Sequence, residues 1–129
     1  MLAADTNVLV RFLVNDDASQ SARAKAFLAS ENVWVSKTVL LETAWVLLSV
    51  YRVPAPEVNH ILKRMVALPN IHVEDAIQVA RAFEWAASGI EFADALHLAS
   101  LANAHSLVTF DRQLVGRASK LKGVRGTAL

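Results

Sequence analysis

The sequence predicts an α/β fold with a mainly parallel sheet and helices on both faces. Three observations carry this reading. Short strand-like runs alternate with longer helical segments from one end of the chain to the other. Of the 129 residues 54% are hydrophobic and only 7% aromatic, which suits helices packed through Ala, Leu and Val. No repeat, low-complexity segment or Pro/Gly/Ser linker interrupts the chain, whose length fits one domain over residues 1–129.

Leu2-Ala3-Ala4 reads as a short buried strand ending at Asp5, and Asn7 to Val14 as an apolar turn or short helix. Asp17 with Gln20 forms a capping box for a helix over residues 18–29. Val33-Trp34-Val35 is a second strand, and Ser36 caps a helix containing Glu42. Apolar residues fall all around that helix from Thr38 to Leu48, so it is expected to be largely buried. The stretch from Arg52 to Pro56 ends it and starts another helix running to about Leu68. Ile71-His72-Val73 is strand-like, and a helix from about Asp75 to Ala87 closes at Ser88-Gly89. A helix from about Phe92 to Ala104 leads to a strand at Ser106 to Thr109, then to Asp111, with one weak strand near Val124.

The composition excludes several chemistries. Cysteine is absent, so there are no disulfides, thiolate metal sites or cysteine nucleophile. The N-terminus, with Asp5 and Arg11, lacks a signal-peptide pattern, and no uncharged apolar run is long enough for a membrane span. A soluble cytoplasmic domain is expected. The formal charge of +1 makes no global case for nucleic acid. Beyond Asp111, however, Arg112, Arg117, Lys120, Lys122 and Arg125 are accompanied by no acid. That tail either holds a polyanion or is a solvated, partly frayed terminus.

Four carboxylates stand out. In parallel α/β sheets the binding crevice lies at the carboxyl ends of the strands, and Asp5 and Asp111 each follow a strand directly. Singly, Asp5 fits an Asx-turn, Asp111 a helix cap, Asp94 a dipole-favoured first turn and Glu42 a salt bridge. Asp94 shares a helical stripe with Leu98 and Leu101, so it faces partly inward. Jointly, two strand-end acids and two on core-facing helices can converge on one crevice. Such a cluster repels itself unless a cation is present. Hard divalent ions such as Mg²⁺ or Mn²⁺ match oxygen donors, activate water and neutralise a phosphodiester. A buried Glu42 would then have its counter-charge.

Residues 2–10, which contain Asp5-Thr6-Asn7, Glu42 after Leu40-Leu41, Asp94 in Glu91 to Ala99, and Leu107 to Asp111 together resemble PIN-domain ribonucleases. More narrowly they resemble the VapC toxins of toxin–antitoxin pairs, across essentially the whole chain. The resemblance implies a three-layer α/β/α sandwich and an endoribonuclease. It implies that Asp5, Glu42, Asp94 and Asp111 hold Mg²⁺ or Mn²⁺ and position the attacking water, with Asp5 and Asp94 as direct ligands. Asn7, through its amide, and Thr109, through its hydroxyl, match polar positions that brace the acids. Glu91 stands one turn before Asp94, where relatives often carry aspartate, as ligand or brace. Partners implied are an RNA substrate, a VapB-like antitoxin laid across the site and a second copy of the chain in a homodimer.

Other classes fit less well. An aspartyl-phosphate hydrolase would want a second aspartate where Asn7 stands, and a receiver-like module would want a late-strand lysine that Thr109 to Arg112 do not supply. A non-catalytic acidic-pocket module has no need of Glu42 in an apolar helix. His97, one turn after Asp94, reads as surface or packing, and His60, His72 and His105 form no zinc spacing with it. Trp34, Trp45 and Trp85 read as core or interface. Arg11, four residues after Asn7, is within reach of a substrate phosphate or is a plain surface charge.

Overall fold

The computed structural model describes residues 1–129 as seven helices and five short strands. They fall into two compact units, Met1–Ala76 and Ile77–Leu129.

The first unit holds β1 (Leu2–Ala3), α1 (Thr6–Leu13), α2 (Ala18–Ser30), β2 (Val33–Val35), α3 (Lys37–Ser49), α4 (Ala55–Val66) and β3 (Ile71–Val73). Its sheet runs β1-β2-β3, all parallel, with Leu2 opposite Val33 and Val33 opposite Ile71. The middle strand alternates: Val33 and Val35 are fully buried while Trp34 is 37% exposed. β1, at the edge of this sheet, corrects the sequence reading. Leu2 and Ala3 are exposed and only Ala4 is buried, because a two-residue strand paired on one side is too short to be covered.

Local signals account for the helix starts. Asp17 accepts the Gln20 N–H at 2.9 Å and Ser36 accepts the Val39 N–H at 3.2 Å. The expected capping box is only half made, since the Gln20 carbonyl oxygen accepts from Arg11 Nε instead. α4 starts after Pro54 and buries Val58, Leu62 and Met65 as one stripe, with Glu57 in its first turn and Lys63 and Arg64 in its last, the polarity its dipole favours. α3 departs from expectation. It buries Leu40, Thr43, Ala44 and Leu47 on one stripe and leaves Glu42, Trp45 and Leu48 outside it. Glu42 is exposed, so no burial cost needs offsetting there. The all-round apolar pattern described the residues available, whereas neighbours cover only one stripe of the helix.

The second unit holds α5 (Ala76–Ala87, its first residue closing unit 1), α6 (Phe92–Ala99), β4 (Leu107–Thr109), α7 (Arg112–Ala118) and β5 (Gly126–Ala128). Phe83 of α5 stacks on Phe92 of α6 with centroids 4.9 Å apart, and the Arg81 guanidinium lies over the buried Trp85 ring at the same distance. α6 is shorter than expected. Beyond Ser100 the chain turns through Ala102, at φ 52°, and residues 102–105 are exposed, so further helix would bury nothing. β4 and β5 pair in parallel from Leu107 opposite Gly126, two residues beyond the weak strand expected near Val124. At Gly126 a Cβ would meet Val115 Cα at 3.2 Å, a tight contact that glycine avoids where β5 lies against α7. The basic C-terminal segment is therefore structured, contrary to a frayed terminus. No helix is long and apolar enough to cross a membrane.

Candidate functional site

In the first unit, Asp5 leaves β1 and immediately caps α1. Its Oδ1 accepts the Val8 N–H at 3.0 Å, a helix cap rather than the Asx-turn read from sequence. Capping occupies one carboxylate oxygen and leaves the other free. Asn7, exposed on the first turn, lines with Asp5 a cleft of about 410 Å³ whose other polar walls are Arg11, Gln20 and Arg23. Glu42 projects from the exposed side of α3, where its Oε1 accepts a hydrogen bond from the buried hydroxyl of Thr6.

In the second unit, Asp111 leaves β4 and caps α7, its Oδ1 accepting the Leu114 N–H at 3.0 Å. Thr109 Oγ1 accepts the Asp111 N–H at 3.0 Å, fixing the backbone at that turn. Asp94 lies half-buried in the first turn of α6, and Glu91 stands at the N-cap of that helix without making a capping bond. Glu91, Asp94 and Asp111 line one small cleft of about 120 Å³ with Gln113 and Arg117. None of the three forms a salt bridge, for the ion pairs of the chain are Arg11–Asp16 and Lys37–Asp75. Arg117 directs Nη1 to the Gly89 carbonyl at 2.8 Å.

The donors in these clefts are carboxylate and amide oxygens, the chemistry Mg²⁺ and Mn²⁺ accept. Within neither unit do three His, Asp or Glu side chains gather closely enough to hold an ion among them. Mg²⁺ does not need that many, since it keeps several waters and takes one or two carboxylates directly. By donor chemistry the residues fit such an ion.

Two features lay outside the sequence reading. One is the bond between Thr6 and Glu42, a pairing across thirty-six positions that no local pattern marks. The other surrounds Arg11. Its Nη1 donates to Asp16 Oδ1 at 2.7 Å and to the Tyr51 hydroxyl at 3.3 Å, while Nε donates to Gln20 at 2.7 Å. Tyr51 closes the triangle by donating to Asp16 Oδ2 at 2.7 Å. The Tyr51 hydrogen bond, reinforced by Arg11, holds the Asp16 carboxyl below its usual range. The hydrogen bond to Asp16 raises the Arg11 guanidinium and the Tyr51 phenol above theirs. The Asp16-Asp17 pair before α2 hinted at this only as a surplus acid beside a cap.

Parallel strands alternating with helices, and acids placed two positions past the ends of β1 and β4, define an α/β protein with carboxylate-bearing clefts. The family model of the PIN domain matches residues 3–120, across both units, and the chain belongs to the PIN-domain family. The parallel α/β class, and the three-layer α/β/α fold implied by resemblance, accord with that membership. Among solved structures, the chain is similar to Mycobacterium tuberculosis VapC20, described as a sarcin-ricin loop cleaving toxin. The two are 21% identical, the match covers 90% of this chain and 94% of that one, and the TM-score is 0.46. No curated protein matches the sequence.

Proposed function

We propose that this protein is a metal-dependent endoribonuclease of the VapC type, a cytoplasmic toxin neutralised by a VapB-like antitoxin and acting as a homodimer. The observation that carries the reading is the cleft where Glu91, Asp94 and Asp111 gather without forming a salt bridge, in a chain of the PIN family. Asp5, Glu42, Asp94 and Asp111 form the catalytic set, with Asp5 and Asp94 as direct ligands of Mg²⁺ or Mn²⁺. When bound, the ion supplies Lewis-acid activation of water and neutralises charge on the phosphodiester.

The chain's own residues do the positioning. Asp5 and Asp111 are held at the strand ends by their capping bonds, each with one oxygen left for chemistry. Thr109 fixes the Asp111 backbone, and Thr6 fixes the Glu42 carboxylate. Asn7 stands beside Asp5 in the wall of its cleft, and Glu91 beside Asp94 and Asp111 in theirs. Trp45 at 61% and Leu48 at 38% exposure on α3, next to exposed Val50, provide apolar surface for a protein partner.

The test is cleavage of structured RNA by purified protein with and without Mg²⁺ or Mn²⁺, beside Asp94→Asn prepared identically. Metal-dependent cutting that vanishes in the variant supports the reading. Equal cutting by both, or no metal binding by calorimetry when neither cuts, overturns it.

A further inference from the structure

The cleft between α1 and α2 holds more hydrogen-bond donors than the protein uses. Arg11 spends Nε and Nη1 on Gln20, Asp16 and Tyr51, which leaves both N–H groups of Nη2 without a protein partner. Arg23, exposed on the same cleft, makes no hydrogen bond or ion pair. The Gln20 amide nitrogen is also unpaired, its oxygen being held by Arg11. Helical spacing produces this convergence. Asn7, Val8 and Arg11 share a face of α1, and Gln20, Arg23, Ala24 and Phe27 form a stripe on α2. The walls thus combine two guanidinium groups and two amides with the Asp5 carboxylate and the apolar side chains of Val8 and Phe27.

Arg11 is also pre-oriented. Asp16 and Tyr51 grip one side of its planar fork and Gln20 another, so the free edge is fixed before any ligand arrives. A fork held on one edge and open on the other suits a phosphate oxygen better than a mobile lysine would. Asp16 pairs with Arg11 and Asp5 lies in the same cleft, so Arg23, which forms no ion pair, supplies the positive charge left to attract an anion.

We propose that the α1–α2 cleft grips the phosphate backbone of RNA through Arg11 and Arg23, with Asp16 and Tyr51 as positioning residues that lock the Arg11 fork. The assignment rests on the nuclease reading for its choice of RNA, but it is a binding site and is testable without turnover. Because the contacts are to phosphate, DNA of equal length binds comparably and sequence matters little.

The experiment is fluorescence anisotropy of a labelled mixed-sequence RNA oligonucleotide in EDTA, over a salt series, with thermal melts confirming that each variant is folded. Arg23→Ala is expected to weaken binding about tenfold at low salt and to lower the log–log salt slope by about 0.7. Arg11→Lys keeps the charge but loses the fork, and is expected to bind more weakly than wild type. Tyr51→Phe weakens binding in the wild-type background and has no effect in an Arg11→Ala background, the non-additivity expected when one residue acts through another. Wild-type affinity in both Arg23→Ala and Arg11→Ala, or no RNA binding by the wild type, overturns the assignment. Equal Tyr51→Phe losses in both backgrounds overturn the positioning role. Binding that depends on Arg23 in a protein that cuts no RNA leaves this cleft standing while the nuclease reading falls.

Discussion

The Thr6 hydroxyl, buried at the first turn of α1, donates to the Glu42 carboxylate on the exposed side of α3. One bond thereby joins the turn that carries Asp5 to a second acid far away in sequence. It also gives Glu42 a structural partner in place of the burial that its sequence context suggested. Glu42→Ala, which strands a buried hydroxyl, is expected to destabilise by about 1–3 kcal/mol in urea titrations. Glu42→Gln retains an acceptor oxygen and is expected to cost under about 1 kcal/mol, while RNA cleavage falls by about a hundredfold or more. Loss of activity matched by equal loss of stability in both variants would leave Glu42 with a structural role alone.

Asp111 combines a cap with a place in the acidic cleft, and the two roles separate by substitution. Asp111→Asn keeps a capping oxygen and is expected to melt like the wild type, whereas Asp111→Ala loses about 1 kcal/mol. Both are expected to lose metal-dependent cleavage. Calorimetric unfolding beside a cleavage assay reads the two effects independently.

The Arg11–Asp16–Tyr51 triangle makes a pH-dependent contribution whose sign follows from its shifts. The Asp16 carboxyl is lowered in the folded state, so its contribution is present above the ordinary value of 3.8 and is lost as pH falls through the lower folded value. The Tyr51 phenol is raised, so its contribution is present below 10.0 and is lost as pH rises through the higher folded value. The melting difference between wild type and Asp16→Asn is therefore expected to be level between these limits and to close in acid. The pair is exposed, so the difference is small and shrinks with salt. A gap that widens on acidification would refute the account.

Gly126 is favoured by closeness rather than by backbone angle. Gly126→Ala sets a methyl against the Val115 backbone, which cannot swing away as a side-chain tip can. A loss of about 1–3 kcal/mol is expected, read as a lower midpoint in denaturant. No change would mean that β5 shifts freely on α7.

Much of the fold was legible because its signals are local. Asp17, Ser36 and the prolines around residue 55 mark helix starts within three or four residues, and those helices begin where the sequence placed them. The alternation in Val33 to Val35 likewise describes a strand with neighbours on both sides. Asp5 and Asp111 were visible at strand ends by the same short-range logic. Glu42 misled for a complementary reason. Apolar residues on every side of a helix reveal which faces can be buried, while coverage depends on what packs there, and α3 keeps Trp45 uncovered. The end of α6 failed similarly, since its outer turns had nothing to bury against.

By itself the sequence determined the alternation of strands and helices, the acids after β1 and β4, and membership of the PIN-domain family. Each rests on interactions between residues a few positions apart or on a pattern spread along the chain. Tertiary structure alone decided that Glu91, Asp94 and Asp111 line one cleft, that Thr6 holds Glu42, and that Tyr51 and Asp16 orient Arg11 beside Arg23. These pairings join separate elements, and the energy that selects them comes from packing whole faces together, which no short stretch of chain encodes.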